Sequence, residues 1–156
     1  MRRLRLGEWL AALAGVGLVA SLTLDWYGAR GREAAISGFA AFDVIDVLLV
    51  LVAATGIALA AVQATHDRPA LPVALGIITV TAGLLGILLV LYRIVNEPGP
   101  DEFVDVRLGA YLGLLAAIAV TAGGWLSLAD EHVPGLPPGP EPELRPTPRI
   151  AADAEP

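Results

Sequence analysis

The chain contains no cysteine among its 156 residues. Disulfide bonds, thiol nucleophiles and thiolate metal sites are therefore excluded. The chain has only two histidines, His66 and His132, and both stand in polar segments without a set of further metal ligands around them. A glycine-rich phosphate loop, a nucleophile elbow and the spacings of known metal motifs are also missing. We therefore predict that the protein is not an enzyme and that it binds no cofactor and no metal.

Lysine is absent as well, so that all ten basic residues are arginine, against sixteen acidic residues and a net charge of −6. The use of arginine alone indicates coding by a GC-rich bacterial genome. The negative charge lies mainly in the predicted loops and the C-terminal segment, and the chain has no basic face of the kind that binds phosphate backbones. We predict no binding to nucleic acid.

Apolar residues are abundant, at 56% of the chain, and the mean hydropathy is +0.69. This apolar share exceeds what is usual for a soluble domain. Four runs contain no charged residue: Trp9–Leu24, Val47–His66, Pro69–Tyr92 and Leu108–Ala129. About 20 such residues cross the hydrocarbon core of a bilayer, and the shorter first run suffices if Glu8 and Asp25 lie at the headgroups.

We predict an all-α integral membrane protein in which residues 1–131 form an antiparallel four-helix transmembrane bundle. The helices are expected at about 7–27, 38–65, 69–95 and 102–129. Arg2, Arg3 and Arg5 precede the first helix, and the positive-inside rule then places both termini in the cytoplasm of a bacterial plasma membrane. A cleaved signal peptide is the alternative, but Leu18 does not suit the position three residues before a cleavage at Ala20.

The segments outside these runs are predicted to be irregular. Gly28 and Gly31 indicate a first outer loop over 25–38, and the sequence Pro98-Gly99-Pro100 indicates a second over 96–105. Residues 132–156 are rich in proline and acidic residues and poor in large apolar ones, so we predict a disordered tail.

Four ionisable residues are predicted to form an outer-leaflet polar cluster: Asp43, Asp46, Arg93 and Arg107. The spacing of Asp43 and Asp46 places both on one face of the predicted second helix. One interpretation is a proton- or cation-responsive acid at Asp46, since ionisable groups at membrane depth often mark ion paths. The other is a salt bridge that locks the second helix against the third or fourth. The position near the interface, where charges are easily solvated, favours the structural interpretation.

Small residues at helical spacing predict two close helix contacts, one through Gly17 and Ser21 and the other through Gly109 and Gly113. Trp26 and Tyr27 are expected at the membrane interface, where amphipathic aromatic residues are enriched. These small-residue faces and the lack of catalytic groups predict a non-enzymatic interaction or assembly subunit. Its expected partners are the lipid bilayer and either another membrane protein or a second copy of the chain. The alternative is a small transporter or channel component that uses the Asp/Arg cluster.

Several stretches also carry a resemblance to a known group: SLTLDWYG, FDVIDVLLVL, LYRIVNEPGP and RLGAYLGLLAAIAVTAGGWLSLADE. They resemble a set of small four-helix membrane proteins of actinobacteria to which no activity is assigned. The similarity covers most of residues 7–131, although Asp25 stands where those proteins tend to have proline. The resemblance implies a four-helix topology and a plasma-membrane setting, and it transfers no functional residue.

Overall fold

The computed structural model describes residues 4–30, 34–42, 44–65, 70–97 and 104–130, with the side chains of 70–73 and 130 outside this description. Of the described residues, 81% are helical. The elements in chain order are α1 (Leu6–Thr23), β1 (Asp25–Ala29), β2 (Ala35–Ser37), α2 (Gly38–Ala41), α3 (Ile45–Thr65), α4 (Ala70–Val95), β3 (Val104–Val106) and α5 (Leu108–Asp130).

Four of these helices are long and apolar enough to cross a membrane, and they confirm the four apolar spans predicted from the sequence. The candidate spans are Leu6–Thr23, Ile45–Thr65, Ala74–Val95 and Leu108–Ala129. The predicted disordered tail at 132–156 lies outside the described residues.

Helix α1 packs against both α3 and α5, and α4 packs against the same two helices. Glycine lets the backbones meet directly. A Cβ on Gly15 would lie 2.6 Å from the carbonyl oxygen of Ala53, and one on Gly56 would lie 2.6 Å from that of Ala11. On the other side of α1, a Cβ on Gly123 would lie 2.5 Å from the amide nitrogen of Ala11. Helix α1 is therefore in backbone contact with both of its neighbours.

The two segments that the sequence predicts as irregular loops contain three short strands, so the all-α prediction is incomplete. Strand β1 lies at the centre of the sheet and pairs antiparallel with β2 on one side and β3 on the other. Tyr27 stands opposite Ile36 in β2 and opposite Val106 in β3. Aromatic and β-branched residues favour such strands, and the pairing satisfies backbone groups that the reversing chain would otherwise leave without partners.

The predicted second helix at 38–65 is interrupted, because residues 38–41 form the separate short helix α2 and α3 begins only at Ile45. Phe42 has an extended backbone, with φ −126° and ψ 144°. Its ring packs edge-on against Trp26 at 5.0 Å and against Tyr27 at 6.0 Å between centroids. Burial of this ring accompanies the break in the helix. Asp43 lies outside the described residues, so its place on one helix face with Asp46 stays a prediction.

Trp26 and Tyr27, which the sequence predicts at the membrane interface, have their side chains buried against other parts of the chain. The indole Nε1 of Trp26 donates a hydrogen bond of 2.7 Å to the carbonyl oxygen of Ser21. We refer to the end of the helices that carries β1–β3 as the sheet end. There α1 and α4 finish, and α3 and α5 begin.

Candidate functional site

Strand β1 connects the helices at the sheet end. The hydroxyl of Tyr27 donates a hydrogen bond of 2.7 Å to the carbonyl oxygen of Arg93, which belongs to the last turn of α4 and has no partner inside that helix. On the other side, the amide of Arg107 donates a bond of 2.7 Å to the carbonyl oxygen of Trp26. The strand that follows α1 is thus tied to both α4 and the start of α5.

Arg93 is held over aromatic rings. Its guanidinium carbon lies 4.5 Å from the centroid of Phe42 and 6.0 Å from that of Tyr27, a cation–π arrangement. One guanidinium nitrogen, Nη2, donates a bond of 3.3 Å to the carbonyl oxygen of Ala41. The Nε atom is buried and has no hydrogen bond. Arg93 therefore connects α4 to the segment before α3 through a ring and a carbonyl.

Arg107 lies against the backbone of β1 at Gly28. A Cβ on Gly28 would overlap Nε of Arg107 and would lie 2.6 Å from its Cζ atom. Only glycine leaves room for the guanidinium in this position. Within the described part of the chain, the Arg107 side chain takes part in no hydrogen bond and no ion pair.

Arg30 and Asp105 form a salt bridge between the ends of β1 and β3. Nη2 and Nε of Arg30 lie 2.7 Å and 3.0 Å from Oδ1 of Asp105. The hydrogen bond from Arg30 lowers the pKa of the Asp105 carboxyl and raises the pKa of the Arg30 guanidinium. Both side chains are exposed, so the pair contributes little to stability. Sequence patterns do not indicate this salt bridge, because the two residues meet only through the pairing of β1 with β3.

Glu97 lies just beyond the end of α4, and its Oε2 atom is buried without a hydrogen bond. Burial of Tyr27 raises the pKa of its hydroxyl, while the nearby Arg93 guanidinium opposes that shift and the Glu97 carboxylate adds to it. Arg93 and Glu97, each with one buried atom that has no hydrogen bond, thus both lie close enough to Tyr27 to affect the pKa of its hydroxyl.

Asp46 lies in the first turn of α3, and its Oδ1 accepts a bond of 2.7 Å from the amide of Val47. A carboxylate at this place interacts favourably with the helix dipole. Across the described residues, no ion pair joins Asp46 to Arg93 or Arg107. The structure therefore brings the two predicted arginines together around β1, at Tyr27 and Gly28, and leaves Asp46 apart from them.

Three of the four predicted packing residues meet in one contact. A Cβ on Gly109 would lie 2.6 Å from the carbonyl oxygen of Asp25, and one on Gly113 would lie 3.1 Å from Oγ of Ser21. Gly17 does not belong to this contact, because a Cβ there would meet no atom within 4 Å. The helical period turns Gly17 outward while Ser21 faces α5.

Comparison with known proteins finds no family model, no curated protein and no solved structure that matches the chain. The chemistry available at the sheet end follows from its residues. Two guanidinium groups in fixed positions suit carboxylate or phosphate oxygens. In the described ranges no three histidine, aspartate or glutamate residues are grouped as metal ligands.

Sequence reasoning missed a second polar group at the opposite end of the helices. Glu8, which we expected among the headgroups, is 1% exposed, and its Oε2 accepts a bond of 2.9 Å from the amide of Arg5. Helical periodicity carries the signal, since Glu8 shares a heptad position with Gly15 and Leu22, both of which are buried.

Proposed function

We propose that the chain is a multi-pass protein of the bacterial plasma membrane, with α1, α3, α4 and α5 arranged as an antiparallel bundle and both termini in the cytoplasm. The length and composition of the four helices support the crossing of the membrane. Antiparallel packing is supported by contact pairs that run in opposite chain directions, such as Gly15 with Ala53 and Ala11 with Gly56. The arginines before α1 support a cytoplasmic N-terminus.

Within that membrane we propose a non-enzymatic assembly subunit, whose sheet end binds the acidic side chain of another membrane protein. The observation that carries this proposal is Arg107. Its guanidinium packs against Gly28 and forms no ion pair in the part of the chain that the structure describes, since the nearby Asp105 is paired with Arg30. Arg107 is partly exposed, so a carboxylate of another protein can reach its guanidinium and form a charge-assisted hydrogen bond with it.

The surroundings of Arg107 suit a protein partner. Large apolar side chains are exposed near the sheet end, namely Leu24, Ile36, Phe39, Val44, Tyr92 and Val95. Apolar side chains around a small number of fixed charges are typical of an interface with another protein. The three-stranded sheet holds this surface on three of the four long helices, because β1 is bonded to α4 and to the start of α5 and continues from α1.

The interior does not favour the transporter or channel alternative. Between the two ends, the core contains Leu18, Val52 and Val120, all of them buried. The hydroxyl of Thr79 on α4 donates a bond of 3.2 Å to the carbonyl oxygen of Thr55 on α3, so this threonine serves helix packing. A path for ions through the helices would need polar side chains that continue inward from Asp46.

The test compares the size and composition of the complex extracted from native membranes in a mild detergent. The variants are Arg107→Gln, which removes the charge, and Gly28→Ala, which displaces the guanidinium but keeps the charge. Arg30→Gln is the matched control, because it removes a neighbouring arginine that already has Asp105 as its partner.

We expect the wild-type chain and Arg30→Gln to elute in one complex with the same second protein, and both test variants to lose it. A wild-type chain that elutes alone, or as two copies of itself, overturns the proposal. So does an Arg107→Gln chain that keeps the partner. If Arg107→Gln changes only the amount of bound anionic lipid, the guanidinium binds phosphate and the assembly proposal is wrong.

A further inference from the structure

Three polar side chains from three different helices are buried at the end opposite the sheet. Glu8 of α1 is 1% exposed, Gln63 of α3 is 7% exposed and Ser127 of α5 is 2% exposed. Such burial is unusual for glutamate and glutamine. Neither the sheet end nor its proposed partner involves these residues.

The contacts of α1 with α5 place Ser127 level with the start of α1. A Cβ on Gly7 would lie 2.6 Å from the amide nitrogen of Ser127 and 2.9 Å from the carbonyl oxygen of Gly123. Ser127 thus belongs to the turn of α5 that contacts the residue next to Glu8.

The contacts of α1 with α3 bring Gln63 to the same end of the helices, with its backbone about level with residue 4. Gly56 meets Ala11, and Gln63 follows Gly56 by two helical turns, about 10.5 Å along the axis towards the start of α1. Side chains tilt towards the N-terminus of their own helix. The side chain of Glu8 therefore extends to Arg5, as its hydrogen bond shows, while that of Gln63 extends back towards Glu8.

Two of the three side chains, Gln63 and Ser127, have a buried oxygen without a hydrogen-bond partner. Oε1 of Gln63 and Oγ of Ser127 are buried and have no hydrogen bond. Glu8 accepts the bond from the amide of Arg5, and no ion pair joins its carboxylate to another residue within the described ranges. A buried carboxylate that forms no ion pair, together with two buried oxygens that have no hydrogen bond, is unfavourable.

We propose that Glu8, Gln63 and Ser127 together bind one small monovalent cation between α1, α3 and α5. The three groups offer a carboxylate, an amide and a hydroxyl oxygen, the donors that hard cations prefer. A single carboxylate supplies one negative charge, so a monovalent cation neutralises the site. The bound ion would connect three helices at the end where no sheet joins them.

Sodium is the probe. The full chain, purified in a non-ionic detergent at pH 8, is unfolded by heat in sodium chloride and in choline chloride of equal ionic strength. A ligand that binds only the folded state at ten times its dissociation constant lowers the unfolding equilibrium constant about elevenfold. We expect sodium to raise the unfolding temperature of the wild-type chain in a saturable way.

The variants Glu8→Gln, Gln63→Leu and Ser127→Ala should lose the response to sodium. Glutamine also serves at the third position of a capping box, so Glu8→Gln keeps the start of α1. Without sodium this variant should unfold at a higher temperature than the wild-type chain, because it removes an unneutralised charge. Asp25→Asn, which removes an exposed carboxylate at the sheet end, is the control and should respond like the wild-type chain.

A wild-type chain that responds equally to sodium and choline overturns the proposal, and its buried oxygens are then satisfied by water alone. An undiminished sodium response in Glu8→Gln overturns it as well.

Discussion

Two glycines on different faces of α1 allow a stringent test of the packing. Gly15 and Gly17 lie two residues apart in the same helix, and each is replaced by alanine. The substitution is chemically identical, but the surroundings differ. A Cβ on Gly15 would lie 2.6 Å from the carbonyl oxygen of Ala53 and 3.2 Å from Cγ1 of Ile57, whereas a Cβ on Gly17 would meet nothing within 4 Å.

The magnitudes follow from two opposing effects. Alanine is favoured over glycine in a helix interior by about 1 kcal/mol, and Gly17→Ala should gain that amount. At Gly15 the added atom must move from 2.6 Å to an ordinary contact of 3.4 Å, a separation of 3.4 − 2.6 = 0.8 Å between α1 and α3. Overpacking costs ~1–3 kcal/mol, and we expect the upper part of that range, ~2–3 kcal/mol, because a backbone oxygen cannot rotate away. After the helical gain of about 1 kcal/mol, Gly15→Ala should lower the free energy of unfolding by ~1–2 kcal/mol.

The assay is reversible unfolding in mixed micelles, followed by near-ultraviolet circular dichroism of the buried Trp26. Gly17→Ala should raise the free energy of unfolding and Gly15→Ala should lower it. If Gly15→Ala is stabilised as much as Gly17→Ala, the close approach of α1 to α3 is wrong. If Gly17→Ala is destabilised in a monodisperse single chain, the outward orientation of Gly17 is wrong.

Two further predictions concern the sheet end. Tyr27→Phe leaves the carbonyl oxygen of Arg93 without a partner and should cost ~1–2 kcal/mol of unfolding free energy. Because the folded state raises the pKa of Tyr27 above its ordinary value of 10.0, the wild-type chain should lose stability as the pH rises above that value, and Tyr27→Phe should lose less. Because Arg30 lowers the pKa of Asp105 below its ordinary 3.8, this exposed pair should stabilise weakly above that pH and lose its effect as the pH falls below it. Arg30→Gln should abolish that acid dependence, as measured by unfolding at low salt.

The local sequence pattern was sufficient to predict the four long helices, because an uninterrupted apolar run of membrane length can form few structures other than a helix. It was insufficient for the sheet. The pairing of Tyr27 with Val106 joins residues far apart in the chain, and the intervening glycines and prolines indicate only that the helices stop. A strand of three residues also has too short a pattern to be recognised.

The candidate cluster failed in part for a related reason. Arg93 and Arg107 both lie at the sheet end, but their partners are two aromatic rings, the carbonyl oxygens of Ala41 and Trp26, and a glycine. The prediction considered charge pairing alone, and it therefore favoured Asp43 and Asp46 as the partners of the two arginines. Phe42 has an extended backbone and its ring packs against Trp26, and α3 begins only after this residue, at Ile45.

The two proposed sites lie at opposite ends of α1, and this separation gives a last prediction. Helix α1 has 18 residues, which corresponds to a length of about 27 Å. Effects of substitutions this far apart, without a shared partner, should add to within about 0.5 kcal/mol. The double variant Glu8→Gln/Arg107→Gln should therefore combine the lost sodium response of the first with the lost partner of the second. Arg107→Gln alone should keep the full sodium response, and Glu8→Gln alone should keep the partner. A sodium-dependent loss of the partner in the wild-type chain would instead mean that α1 couples the two ends, because it is in backbone contact with both α3 and α5.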